Sequence, residues 1–147
     1  MSKQAEAELI LHLYELRREE TMRKARDWFF RDFNPDTFDD FQATLFGPHS
    51  GHMRMVITYW DMAAALVNNG AISLDLFNDA NGEQYGVFAK IDHILPEIRK
   101  TIGPLFAVNL EKLIDATPGG RERLAQMKER IKMIRAQLAQ SAQAQKA

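Results

Sequence analysis

The chain has 147 residues, 46% apolar and 27% charged, with only 8 Gly and 5 Pro, a composition that fits one globular domain and excludes disordered, collagenous and low-complexity classes. Its 19 Lys and Arg against 20 Asp and Glu leave a net charge of -1, without the global basic bias of a nucleic-acid-coating protein. Zero cysteines exclude disulfides, thiolate zinc sites, iron-sulfur clusters and cysteine nucleophiles together.

From Ser2 to Phe33 there is no Gly or Pro, and Ala, Glu, Leu, Arg and Gln dominate, which predicts one long helix of about 45 Å. Leu9, Leu13 and Leu16 near its start and Trp28, Phe29 and Phe33 near its end predict two buried ends around a wet, charged middle. The apolar run LILHL is interrupted by His12 and closed by Glu15, too short and too polar for a signal peptide. Asn34, Pro35 and Asp36 then read as a stop and restart, with Asn34 as cap and Pro35 in the first turn of a helix reaching about Phe46. Phe38, Phe41 and Leu45 form its single buried stripe.

After the loop GPHSGH, residues 50–69 form the most apolar segment. Met53, Val56, Trp60, Ala63 and Val67 lie on one stripe and Met55, Ile57, Met62 and Leu66 around the rest, which predicts a central helix buried nearly all round. Gly70 should close it in a left-handed conformation, and Ser73 should cap a short helix with Ile72 and Phe77 stapled across the cap. Farther on, Phe88, Ile91, Leu95, Ile98 and Ile102 make one stripe straight through Pro96, so residues 82–102 read as a single kinked helix. Gly103 and Pro104 open another, bearing Phe106, Leu110 and Leu113 and closing before Thr117. The last helix begins near Gly120 and places Leu124, Met127, Ile131, Ile134 and Leu138 at heptad spacing; residues 141–147 should fray, leaving 1–140 as one domain. With no strand alternation and no internal repeat, the fold class is all-α, a compact bundle of about seven helices.

Charge is unevenly placed. Residues 1–34 carry seven basic and seven acidic groups, residues 35–120 five and eleven, and residues 121–147 seven and two, for net values of 0, -6 and +5. The basic last helix, with Arg121, Arg123, Lys128, Arg130, Lys132 and Arg135, is expected to lie across an acidic face of its own subunit or of a partner, not on nucleic acid, because no aromatic is interleaved with it.

Few groupings of residues in the chain carry chemistry. His49 and His52 with Asp39 and Asp40 could offer ligands to a divalent metal, but two histidines after Gly47 and Pro48 read better as polar loop residues or caps, and no metal site is assigned. The run Asn78 to Gly82 fails as a calcium loop, since the register that fits Gly82 puts Phe77 and Phe88 where carboxylates are required. Glu15, Glu19 and Glu20 lack the Glu-x-x-His spacing of a di-iron bundle, and there is no Walker, GxSxG, HExxH or dinucleotide motif. Asp61, inside the apolar helix, must pair or take up a proton; a structural ion pair to Arg54 or to an arginine of the long helix is the favoured reading over a pocket acid.

The segment DMAAALVNNGAISLDLF, preceded by ELRREETMRKARDWFF, resembles a bacterial all-helical family of unknown function. In that family a helix ending in Gly is followed by a small turn, an Ile or Leu, an acidic residue and an aromatic, here Gly70, Ile72, Asp75 and Phe77, and the resemblance spans roughly residues 13–100. It implies an all-helical domain, transfers no catalytic residue, and implies relatives with an N-terminal membrane segment, although no run of about 18 apolar residues occurs in this sequence.

The expectation is therefore a cytoplasmic, non-enzymatic helical interaction or scaffold protein acting as a homodimer through Leu124, Met127, Ile131, Ile134 and Leu138. Neither cofactor, nucleic acid nor membrane is expected. The alternative is a small-ligand-binding or metal-binding domain with a pocket near His52, Tyr59, Trp60 and Asp61.

Overall fold

A computed structural model describes residues 2–146, and among them nine α-helices, one 3-10 turn and no strand occur. The all-α class holds. The two additional helices arise because the first and fifth expected helices are each divided.

The first division falls at Arg18 and Glu19, between α1 (Lys3–Arg17) and α2 (Glu20–Asp32). Glu19 adopts an extended ψ of 146°, and its carboxylate accepts the backbone N–H groups of Thr21 at 3.0 Å and Met22 at 3.1 Å. In an uninterrupted helix those donors would bond to Arg17 and Arg18, so a side-chain cap replaces one turn of the ladder. The same bonds hold the Glu19 carboxyl below its ordinary pKa. Freed from the line of α1, α2 turns Met22 and Ala25 into the core along with the expected Phe29, while the rest of the charged middle is largely exposed as expected. Leu16 stays exposed.

Helix α3 (Phe38–Leu45) is capped by Thr37, whose hydroxyl accepts from Asp40 N–H while the Asp40 carboxylate accepts from Thr37 N–H. The expected cap, Asn34, instead donates to the Arg31 carbonyl at the end of α2. Helix α4 (Ser50–Asn68) lies against α2 and buries Met53, Val56, Ile57, Trp60, Ala63, Ala64 and Val67. It is not buried all round, because Met55 and Met62 face outward. Its end is as expected: Gly70 at φ 84° lets Gly70 N–H bond to Val67 and Ala71 N–H to Leu66. Ser73 then caps α5 (Leu74–Ala80), with Ile72 and Phe77 fully buried across it.

The second division separates α6 (Glu83–Ala89) from α7 (Leu95–Ile102), with a 3-10 turn at Asp92–Ile94 between them. Pro96 occupies the first turn of α7, where its missing N–H costs nothing, whereas inside a continuous helix its ring would meet the Asp92 carbonyl. The apolar stripe survives: Phe88, Ile91, Leu95 and Ile98 are buried and only Ile102 is exposed. Helix α8 (Val108–Ala116) begins later than expected because Ala107, at φ 55°, turns the chain and leaves Phe106 outside the helix against Phe41.

Helix α9 (Gly120–Lys146) crosses α6 and α8. A Cβ at Gly120 would lie 2.1 Å from the Ile114 carbonyl oxygen, so this approach admits only glycine. Its basic side chains meet the acidic body as the charge pattern predicts: Arg121 pairs with Asp115 at 2.7 Å, Lys128 with Asp92 at 2.7 Å and Arg135 with Asp36 at 2.9 Å. Helical geometry persists through residues 141–146, whose side chains are exposed. No helix among the described residues is long and apolar enough to cross a membrane.

Candidate functional site

His52, Tyr59, Trp60 and Asp61 do not converge. Neighbouring positions on a helix point about 100° apart, and each of these side chains is taken by a different element. The Tyr59 hydroxyl donates to the Leu13 carbonyl of α1, and the Trp60 indole donates to Glu83 of α6 at 2.8 Å. Asp61 accepts from the backbone N–H groups of Asn109 and Leu110, each at 3.0 Å, at the start of α8. The expected ion pair from Asp61 to an arginine is thereby corrected to a helix cap. His52 faces Trp28, on which His49 stacks with ring centroids 4.8 Å apart, and the Asp40 carboxylate is held in its capping box.

A concave feature lies instead beneath α9. A cleft of about 560 Å³ separates α9 from α2 and α6, with Phe30, Gly82, Gly86, Met127, Ile134 and Leu138 among its walls. The heptad stripe explains both its roof and its opening. Leu124 is buried in the body and Met127 and Ile131 are half-buried, whereas Ile134 and Leu138 remain 45% and 47% exposed. Beyond Ile131 the helix overhangs the body, and Arg135 on Asp36 tethers it there. Gly82, the residue before α6, and Gly86, one turn into it, leave the floor without side chains. A Cβ on Gly86 would sit 3.1 Å from the Phe30 ring, and one on Gly82 would sit 3.3 Å from the Arg123 guanidinium.

Four charged groups set the electrostatics. Glu83 is bound twice over, by the Arg26 guanidinium at 2.6 Å and by the Trp60 indole, so the carboxylate of the cleft is neutralised and fully engaged. Lys90 is buried between this cleft and a smaller one of about 290 Å³. Its ammonium donates to the carbonyls of Phe29, Phe30 and Phe33 and to Asn34 Oδ1, closing the C-terminus of α2. Burial pushes its pKa down to about 8, helped by the nearby positive charge of Arg135. Arg123 lies over the Tyr85 ring, 4.3 Å from its centroid. Arg130, seven residues farther along the same face of α9, has no carboxylate at ion-pair distance among the described residues, unlike Arg121, Lys128 and Arg135.

Sequence reasoning named Met127, Ile131, Ile134 and Leu138 but as a dimer stripe, and Arg123 and Arg130 only as part of a basic helix. It missed Phe30, Glu83 and Lys90. The available signal was Gly82 and Gly86, spaced by four on a helix, where a missing side chain invites a close neighbour.

Fold and site together define an all-helical domain with an apolar, arginine-edged cleft under its C-terminal helix. Residues 4–117 match the family described as a domain of unknown function, DUF4760, and the chain belongs to that family. The match ends at Thr117, so α9, the roof of the cleft, lies outside it. Comparison with curated proteins and with solved structures finds no match.

Proposed function

We propose that the chain is a non-catalytic binding domain and that the cleft under α9 is its working surface. One observation carries this reading: the cleft combines an apolar lining with a guanidinium, Arg130, that has no carboxylate partner among the described residues. A cavity within the range of about 300–1,000 Å³, mostly apolar with a few placed polar groups, is the usual form of a small-molecule site. The titratable groups around it are held by structural partners, Glu83 by Arg26 and Trp60 and Lys90 by four acceptors, which supports binding over catalysis. A thermal-shift screen of metabolites on the full chain, repeated on I134D, tests the reading. Stabilising compounds that lose their effect in I134D are expected, and a screen in which no compound moves the melting temperature would refute it.

A second reading, an interaction protein working as a homodimer, is supported by Met133, Ile134 and Leu138, which stay exposed on the overhanging half of α9. Seven basic against two acidic residues in 121–147 oppose direct pairing of two such helices, so a second copy would have to bring its acidic body to this face. Sedimentation equilibrium decides it: a concentration-dependent dimer that I134D breaks is the expected sign, and a monomer at tens of micromolar removes this reading.

A further inference from the structure

We propose that the ligand of the cleft is a single-chain amphiphile with a monoanionic head, a free long-chain carboxylate. The inference rests on the binding reading above and adds its chemical class. Apolar walls from Phe30 on one side and Met127, Ile134 and Leu138 on the other suit an alkyl chain, which needs contact area and no hydrogen bonds. The head is set by charge. Of the arginines that line the cleft, Arg135 is spent on Asp36 and Arg31 lies against Asp27, while Arg123, also without a carboxylate partner among the described residues, is held over the Tyr85 ring. Arg130 remains, exposed at the edge of the cleft one turn from Met127 and from Ile134, and its planar fork matches the two oxygens of a carboxylate. Glu83 does not repel the head, because Arg26 has already neutralised it.

Shape selects the source. About 560 Å³ holds a small molecule, not a helix some 10 Å across. The roof formed by α9, tethered by Arg135, closes the cleft against a flat bilayer. Entry requires only that the overhanging half of α9 lift, and its side chains from Lys132 onward are already exposed.

Calorimetric titration of the full chain with octanoate, decanoate and dodecanoate, each below its aggregation concentration, tests the proposal. One ligand per chain is expected, with affinity rising about fourfold for each added methylene. R130Q should weaken dodecanoate at least tenfold while leaving the neutral dodecanol unchanged, and I134D should abolish both. Arg130 and Ile134 are exposed, and an unchanged urea midpoint will show that the variants fold. Absence of saturable dodecanoate binding, or R130Q binding it as well as the parent, overturns the proposal; so does binding to phosphatidylglycerol vesicles by a chain that ignores dodecanoate. If dodecanoate fails but screened compounds still lose their effect in I134D, the cleft is the site and only its ligand class is wrong. If both fail, the binding reading falls with it.

Discussion

Asp61 on α4 caps α8: its carboxylate oxygen Oδ1 accepts the N–H groups of both Asn109 and Leu110 at 3.0 Å. The position that should cap α8 is Ala107, which has no side-chain acceptor and sits in the left-handed region. The cap is therefore supplied by another helix, and a negative charge meets the positive end of the α8 dipole. Replacing Asp61 by Ala should cost about 1–2 kcal/mol in urea denaturation, the usual range for a lost cap, and Asn should recover part of it. A loss below about 0.3 kcal/mol would show that the α8 N-terminus finds other acceptors.

Glu83 joins three helices, through Arg26 of α2 and Trp60 of α4. The Glu83 and Arg26 side chains are only 16% and 26% exposed, so breaking the pair leaves a poorly hydrated cation. E83A is expected to destabilise by about 3 kcal/mol, near the low end of the range for orphaning one member of a buried pair. Trp60→Ala, which empties the core beside Phe77, should cost about 3–5 kcal/mol. W60F keeps most of the volume and loses the indole donor, about 1–2 kcal/mol. Equilibrium unfolding of the three variants ranks them directly.

The tether between Asp36 and Arg135 holds the overhang without contributing to the core. Hydrogen bonding to Arg135 lowers the Asp36 pKa in the folded chain, so the tether is present above the ordinary carboxylate pKa and is lost as pH falls through the lowered value. Hydrogen exchange, taken relative to the intrinsic rate at each pH, should show residues 132–146 less protected in acid than at neutrality, and D36N should show that lower protection already at pH 7. The global unfolding midpoint of D36N should stay within experimental error, because both side chains are largely exposed. Equal exchange rates in D36N and the parent chain would mean that apolar contacts alone position α9.

Lys90 gives an alkaline signature. Folded, it titrates near 8, and unfolded near the ordinary 10.5, because burial penalises its charged form. Between those values the unfolded chain holds more protons, so stability should rise with pH across this window, by at most about 3 kcal/mol. The neutral amine keeps two N–H donors for the four acceptors around it, so deprotonation weakens this cap of α2 without removing it. Urea midpoints measured across the window should rise in the parent chain and stay flat in K90M. A K90M profile that rises equally would assign the effect to another group.

Much of the architecture can be read directly from local patterns. The stripe Met53, Val56, Trp60, Ala63 and Val67 marks the helix at the centre, and the corner from Gly70 to Phe77 forms as its residues dictate, because a left-handed glycine, a serine cap and an apolar staple act within one turn of each other. Docking of α9 on the acidic body follows from charge that is visible along the chain. Tertiary structure decided the rest. Whether Glu19 continues a helix or caps the next one involves about 1 kcal/mol, and the choice was made by the core that Met22, Ala25 and Phe29 enter once the chain turns. The partner of Asp61 lies 48 residues away, on a backbone that exposes N–H groups only because Ala107 cannot cap them. Apart from the spacing of Gly82 and Gly86, the cleft has no local signature: it exists because α9 continues past Ile131 over these two glycines, and a space between helices belongs to their packing and not to the sequence of any one of them.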